Sequence, residues 1–189
     1  MKKYIVLVLA FALVFSFAGC GSSESTSEAK VDQVQQDLIK YVETDLPAIK
    51  ANESAAVERY NEVSAGITDM KRKEISSAFK DEIIPTYTNF VKDLEALSPA
   101  TSEVQALKAT YLEGAKAQLE GMTALNDAIS ANDSDAAKAA NEKIVEGKTK
   151  IEQHRSDIVT LASEHNINVT TGETTTVADA TAEESTTEK

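Results

Sequence analysis

Residues 101–165 read TSEVQALKATYLEGAKAQLEGMTALNDAISANDSDAAKAANEKIVEGKTKIEQHRSDIVTLASEH, and this stretch decides the fold. Ahead of Asn132, the residues Val104, Leu107, Tyr111, Leu119, Met122, Leu125 and Ile129 lie on one helical stripe. Beyond it, Ala137, Ala140, Ile144, Gly147, Ile151, His154, Ile158, Leu161 and His165 alternate steps of three and four. That alternation is the heptad seam of a long amphipathic helix. Thr101 or Ser102 stands where a cap of the first helix belongs, and Asp133 or Ser134 where a cap of the second does. A link as short as Asn132-Asp133-Ser134 forces the two helices to run antiparallel. A second stripe is made of small residues: Gly114, Ala117, Gly121, Ala124 and Ala128 before the turn, Ala136, Ala140 and Gly147 after it. Folding at Asn132 sets Ala128 opposite Ala136 and Ala117 near Gly147, so this hairpin is expected to be the tightly packed heart of the domain. The bland account of the same residues is that alanine is the best helix former.

Upstream, Val31, Val34, Leu38, Tyr41 or Val42, Leu46 and Ile49 form an amphipathic stripe beginning near Glu28, and it resumes at Ala56, Tyr60, Val63, Ile67 and Met70. Pro47 either kinks this helix or starts a new one. Gly66 to Lys73 carries turn signals, with Thr68 and Asp69 as caps. Phe79, Ile83, Tyr87, Phe90, Leu94 and Leu97 give the next stripe, with Pro85 inside it and Ser98-Pro99 closing it. The fold class is therefore all-α, an elongated antiparallel bundle of three or four long helices.

Low glycine and proline, abundant alanine and no tryptophan fit that class. At the front, Lys2 and Lys3 precede an apolar run from Tyr4 to about Ala18, then Gly19, Cys20 and a polar stretch. This order matches a bacterial lipoprotein signal peptide over 1–19, with Phe17-Ala18-Gly19-Cys20 as its lipobox. The run is too short for a permanent membrane span, which takes about 20 residues. Cys20, the sole cysteine, is the expected lipidation site, which gives its thiol a role outside redox or metal chemistry. Two or three acyl chains hold a protein on a membrane where one is marginal. Residues 20–29 read as a flexible tether, 30–166 as the helical domain, and 167–189, rich in Thr, Glu and Ala, as a disordered tail. Removing the leader takes away two lysines and no acid, so 17 basic residues face 31 acidic ones and the formal charge moves from −12 to −14. Nucleic acid is excluded as a partner by that charge, and so is an electrostatic hold on anionic lipid.

Few residues point to chemistry. His154 and His165 share a stripe but stand eleven residues apart, about 16 Å along a helix, so they cannot ligate one metal. Each reads as a boundary residue with its ring nitrogen bonded or wet; the sharper reading makes His154 a pH sensor. Asp133-Ser134-Asp135 fails as a calcium loop because Lys138 and Ile144 stand where Gly and Glu are required. Nucleophile motifs and phosphate-binding glycine loops are missing, so no catalytic, cofactor or metal residue is assigned and the chain is expected not to be an enzyme. Lys71-Arg72-Lys73 is read as a turn with helix-capping lysines. Tyr41, Tyr60, Tyr87 and Tyr111 fall on or beside apolar stripes, as core residues with hydroxyls at the rim. Gathered at one end, they would line a groove instead.

Taken together, the lipobox, the Ser/Glu tether, Ile84-Pro85-Thr86-Tyr87, Leu97-Ser98-Pro99, Tyr111-Leu112-Glu113-Gly114 and the turn from Ala128-Ile129 to Asp133 resemble small helical lipoproteins of Gram-positive bacteria. Among these is a group described as cell-wall-binding lipoproteins. The resemblance implies a diacylglyceryl thioether on Cys20, attachment to the extracytoplasmic face of the cell membrane, and no catalytic residues. The function expected is a non-enzymatic binding or structural module with a wall polymer or envelope protein as partner. The alternative is a small-molecule-binding or sensor bundle, which requires a cavity near Tyr87 and Tyr111.

Overall fold

The structure, a computed structural model, describes residues 32–167. The leader, Cys20, the tether and residues 168–189 lie outside the described residues. Four helices and no strand make up the described chain. Helix α1 covers 33–65, α2 covers 72–96, α3 is Ser102–Ala131 and α4 is Ser134–Glu164.

Helix α1 begins at Gln33, later than Glu28 where the apolar pattern starts. Its cap is Asp32, whose Oδ1 accepts the backbone N–H of Val34 at 3.0 Å and of Gln35 at 3.1 Å. Neither proline ends its helix. Each is preceded by one widened π-helical turn, Tyr41–Asp45 before Pro47 and Phe79–Ile83 before Pro85. A proline has no N–H and its ring presses on the carbonyl four residues back. The wider turn relieves that clash and reroutes the ladder: Leu46 N–H bonds Tyr41 O, and Ile84 N–H bonds Phe79 O. It also inserts one residue into the seam, so Tyr41 is buried, Val42 is half-buried and burial continues through Leu46 and Glu53.

The turn from Gly66 lies where it was expected, but the cap of α2 is Lys71 and not Thr68 or Asp69. Lys71 N–H donates to Glu74 Oε2 at 3.0 Å, and Arg72 Nη2 reaches Asn132 Oδ1 at 2.5 Å, so the basic triplet ties two turns together. Asp133 caps α4, accepting from the backbone of Asp135 and Ala136. Asn132 and Asn166 take the left-handed conformation, φ 57° and 55°, and close α3 and α4. In both cases the next residue's N–H bonds five residues back, Asp133 to Ala128 O at 2.9 Å and Ile167 to Ala162 O at 2.8 Å.

Among the described residues, α3 and α4 share the most extensive helix–helix contact. A Cβ placed on Gly147 would lie 2.6 Å from Gly114 O and from Gln118 Cγ, and one on Gly121 would lie 2.6 Å from Ile144 Cγ1. Backbone therefore meets backbone, and only glycine fits there. The register differs slightly from the small-residue stripe. Gly114 and Gln118 face Gly147, whereas Ala124 and Ala136 are exposed.

Among the described residues, apolar side chains form two clusters. The larger holds Val57, Tyr60, Phe79, Tyr87, Phe90, Leu94, Met122 and Ile144; the smaller holds Leu38, Tyr41, Val104, Leu107, Ile158 and Leu161. Near the smaller cluster, Asp37 accepts the Thr101 N–H at 2.8 Å and its hydroxyl at 2.7 Å, tying α1 to the start of α3. Burial pulls the Asp37 pKa up, but these bonds outweigh it and hold the carboxyl below its ordinary range. At that end too, His165 pairs with Asp32 at 2.5 Å, and Gln35 Nε2 donates to His165 O at 3.1 Å.

Candidate functional site

Between the two apolar clusters the core turns polar. Tyr41, in the widened turn of α1, forms a hydrogen bond through its hydroxyl with His154 Nε2 of α4 at 3.1 Å. The His154 ring stacks on Tyr111 of α3, centroids 4.5 Å apart and planes 18° from parallel. Tyr111 donates from its hydroxyl to Glu53 Oε1 at 2.8 Å. Phe90 of α2 packs against Tyr111 at 5.7 Å and Tyr87 at 5.3 Å. Tyr87 in turn donates to Gln118 Oε1 at 2.6 Å. All four helices contribute.

Burial sets the charge states. Glu53 and His154 are each only 3% exposed. Desolvation pushes the Glu53 pKa up to about 7, against the bond from Tyr111 and the nearby charges of Arg155 and Lys50. Desolvation, helped by Arg155, pushes His154 down to about 3, so its ring is neutral at physiological pH. Burial also raises Tyr41, Tyr87 and Tyr111, which keep their phenolic protons.

Next to this network lies a cavity of about 120 Å³. Its floor is Glu53, Phe90, Tyr111 and His154; its mouth is formed by half-buried Val42, Lys50 and Arg155 with exposed Pro47. The cavity has a structural cause. Helix α4 lies close against α3 through glycines, whereas α1 meets α4 through long side chains such as Tyr41, leaving space between them. Arg155 Nε and Nη2 are shielded from solvent and have no hydrogen-bond partner among the described residues.

Several expectations change here. Tyr41, Tyr87 and Tyr111 do not hold their hydroxyls at a rim; they are 0%, 0% and 4% exposed and bond inward. They gather in the interior with His154, while Tyr60 packs on Phe79 elsewhere. His154 is no boundary residue, though its ring nitrogen is bonded as expected; His165 is partly buried and bonded to Asp32. Apolar periodicity does not mark Glu53, Gln118 or Arg155 as functional. A signal for two of them existed. The α1 stripe jumps from Ile49 to Ala56 and the α3 stripe from Tyr111 to Leu119, and Glu53 and Gln118 occupy the seam positions within those gaps. Cys20 lies outside the described residues. Among the described residues no group of three or more His, Cys, Asp or Glu is placed to hold a metal, and no helix is long and apolar enough to cross a membrane.

Compared with known proteins, residues 1–187 match a family model described as EMYY-motif containing lipoprotein. The letters of that motif do not occur consecutively in this chain. No curated protein and no solved structure matches it.

Proposed function

The chain belongs to the EMYY-motif containing lipoproteins and is a lipid-anchored helical protein, and from that premise we propose that it is a non-enzymatic binding protein of the cell envelope whose ligand site is the cavity between α1 and α4. Cys20 carries the lipid, and the helical body stands on the extracytoplasmic face of the membrane. The leader, with its lipobox and its short apolar run, supports this part of the reading.

The observation behind the binding role is a cavity that places a few polar groups among apolar walls, the usual character of a small-molecule site. Of the ligand types expected from the sequence, this favours a small molecule. A wall polymer or an envelope protein would instead be held on the outer surface of the bundle. Around the cavity, Tyr111 is bonded to Glu53 and His154 to Tyr41, partners that hold these groups in place, and on that ground the site is read as one of binding rather than turnover.

The test has two arms. Replacing Cys20 by Ser should move the protein from the membrane to the soluble fraction; unchanged membrane retention would overturn the anchor assignment. The released body is then offered the small-molecule fraction of an envelope extract, purified wall, and envelope proteins in turn. Retention of a small molecule that is lost when Val42→Phe fills the mouth of the cavity supports the proposal. Retention on wall or on one protein, unaffected by that substitution, would move the ligand site to the surface.

A further inference from the structure

The guanidinium of Arg155 narrows the chemistry of the ligand. Its Nε and Nη2 lie on the same edge of the planar group, and these are the two nitrogens that are shielded and unpartnered. Two N–H donors on one edge form a fork matching the two oxygens of a carboxylate. Shielded, charged donors without partners are costly, and a ligand supplying both acceptors would offset that cost. Glu53 does not fill the role, because its carboxyl bonds Tyr111 and makes no hydrogen bond to Arg155.

The remaining walls set the rest of the ligand. Val42, Leu46, Phe90 and Ile158 offer apolar surface. A volume of about 120 Å³ is close to that of cavities which accept a benzene-sized molecule, so roughly five to eight non-hydrogen atoms fit. A doubly charged phosphate would bring a third oxygen and a second charge beside Glu53. Resting on the cavity reading above, we infer that the site takes a small organic monocarboxylate, its carboxylate on the Nε/Nη2 edge of Arg155 and its short apolar body toward Phe90 and Ile158.

A pH dependence follows from the groups around the ligand. From α1 these are Tyr41, Lys50 and Glu53, with Asp45 beyond Tyr41; from α2, Tyr87; from α3, Tyr111; from α4, His154 and Arg155. The tyrosines are raised and His154 is lowered, so Glu53 is the shifted group that changes charge near neutral pH. A bound anion is repelled by ionised Glu53 and tolerated by its neutral acid, so affinity should fall between pH 6 and pH 8.

The experiment uses the full-length lipidated protein in nanodiscs of zwitterionic lipid. Calorimetric titration is made with butyrate and 3-methylbutyrate, with their neutral amides, and with inorganic phosphate. Both carboxylates should bind saturably, with the amides and phosphate weaker by about tenfold or more, the loss expected when a charge-assisted hydrogen bond is removed. Arg155→Gln should weaken the carboxylates by a similar factor and leave the amides unchanged. Glu53→Gln should abolish the difference in affinity between pH 6 and pH 8. Amides binding as well as carboxylates, or Arg155→Gln binding carboxylates normally, would overturn the ligand class while leaving the cavity as a binding site. If no probe binds, this inference fails; if Val42→Phe also leaves capture from the extract unchanged, the cavity reading fails with it.

Discussion

Replacing Glu53 by Gln should expose a pH dependence of stability that the native protein conceals. The Glu53 pKa rises from an ordinary 4.5 to about 7 on folding. A raised pKa means that its contribution is fully present below 4.5 and is lost as pH climbs toward 7. The His154 pKa falls from 6.5 to about 3. Its contribution is fully present above 6.5 and is lost as pH drops toward 3. Between pH 4.5 and 6.5 the two slopes oppose each other. Each amounts to about 1.4 kcal/mol per pH unit, so the native profile should be nearly flat across that window. The introduced glutamine cannot titrate but can still accept from Tyr111, so in Glu53→Gln only the His154 slope remains. Stability should then rise by about 2 kcal/mol from pH 4.5 to 6.5, and Tm by roughly 4–8 °C. His154→Gln should show the opposite slope, and the double variant should be flat again. Urea unfolding followed by far-UV circular dichroism at half-unit pH steps, on the Cys20→Ser form, measures all four. A Glu53→Gln profile as flat as the native one would refute the opposed-titration reasoning. A flat native profile by itself does not show that His154 is inert.

Three further outcomes follow from the packing. Gly147→Ala would set a methyl group 2.6 Å from Gly114 O; overpacking of about 1–3 kcal/mol should exceed the helix-propensity gain of about 1 kcal/mol, lowering the urea midpoint. Tyr111→Phe removes the bond that opposes desolvation of Glu53, so the Glu53 pKa should climb further and the variant should lose about 1–2 kcal/mol more at pH 8 than at pH 5; a carboxyl titration followed by NMR checks the direction. Asp37→Ala removes both bonds to Thr101 and should cost about 1–3 kcal/mol, with amide exchange rising first at the start of α3.

Much of the bundle is legible in local sequence. Helical periodicity marks all four helices, Asn132-Asp133 marks the antiparallel turn, and Gly114, Gly121 and Gly147 mark the close seam; each is a property of residues within a few turns of one another. The prolines were ambiguous, because whether a helix breaks or widens depends on what holds its two halves. Here Leu38 is buried before the first widened turn, Tyr41 within it, and Ala56, Val57 and Tyr60 beyond it, so the helix continues.

Nothing local reveals the polar layer. Glu53 meets Tyr111 across 58 residues of chain, and Tyr41 meets His154 across 113. A lone Glu or Arg in a helical sequence reads as solvated surface, since burying a charge is costly unless distant partners meet it. The sequence by itself determined the helices, their order and the expected lipid anchor at Cys20. Only the tertiary structure decided that Glu53 and His154 are buried with opposite pKa shifts and that Arg155 faces a cavity, because desolvation and hydrogen bonding are set by what four separate helices bring together in space.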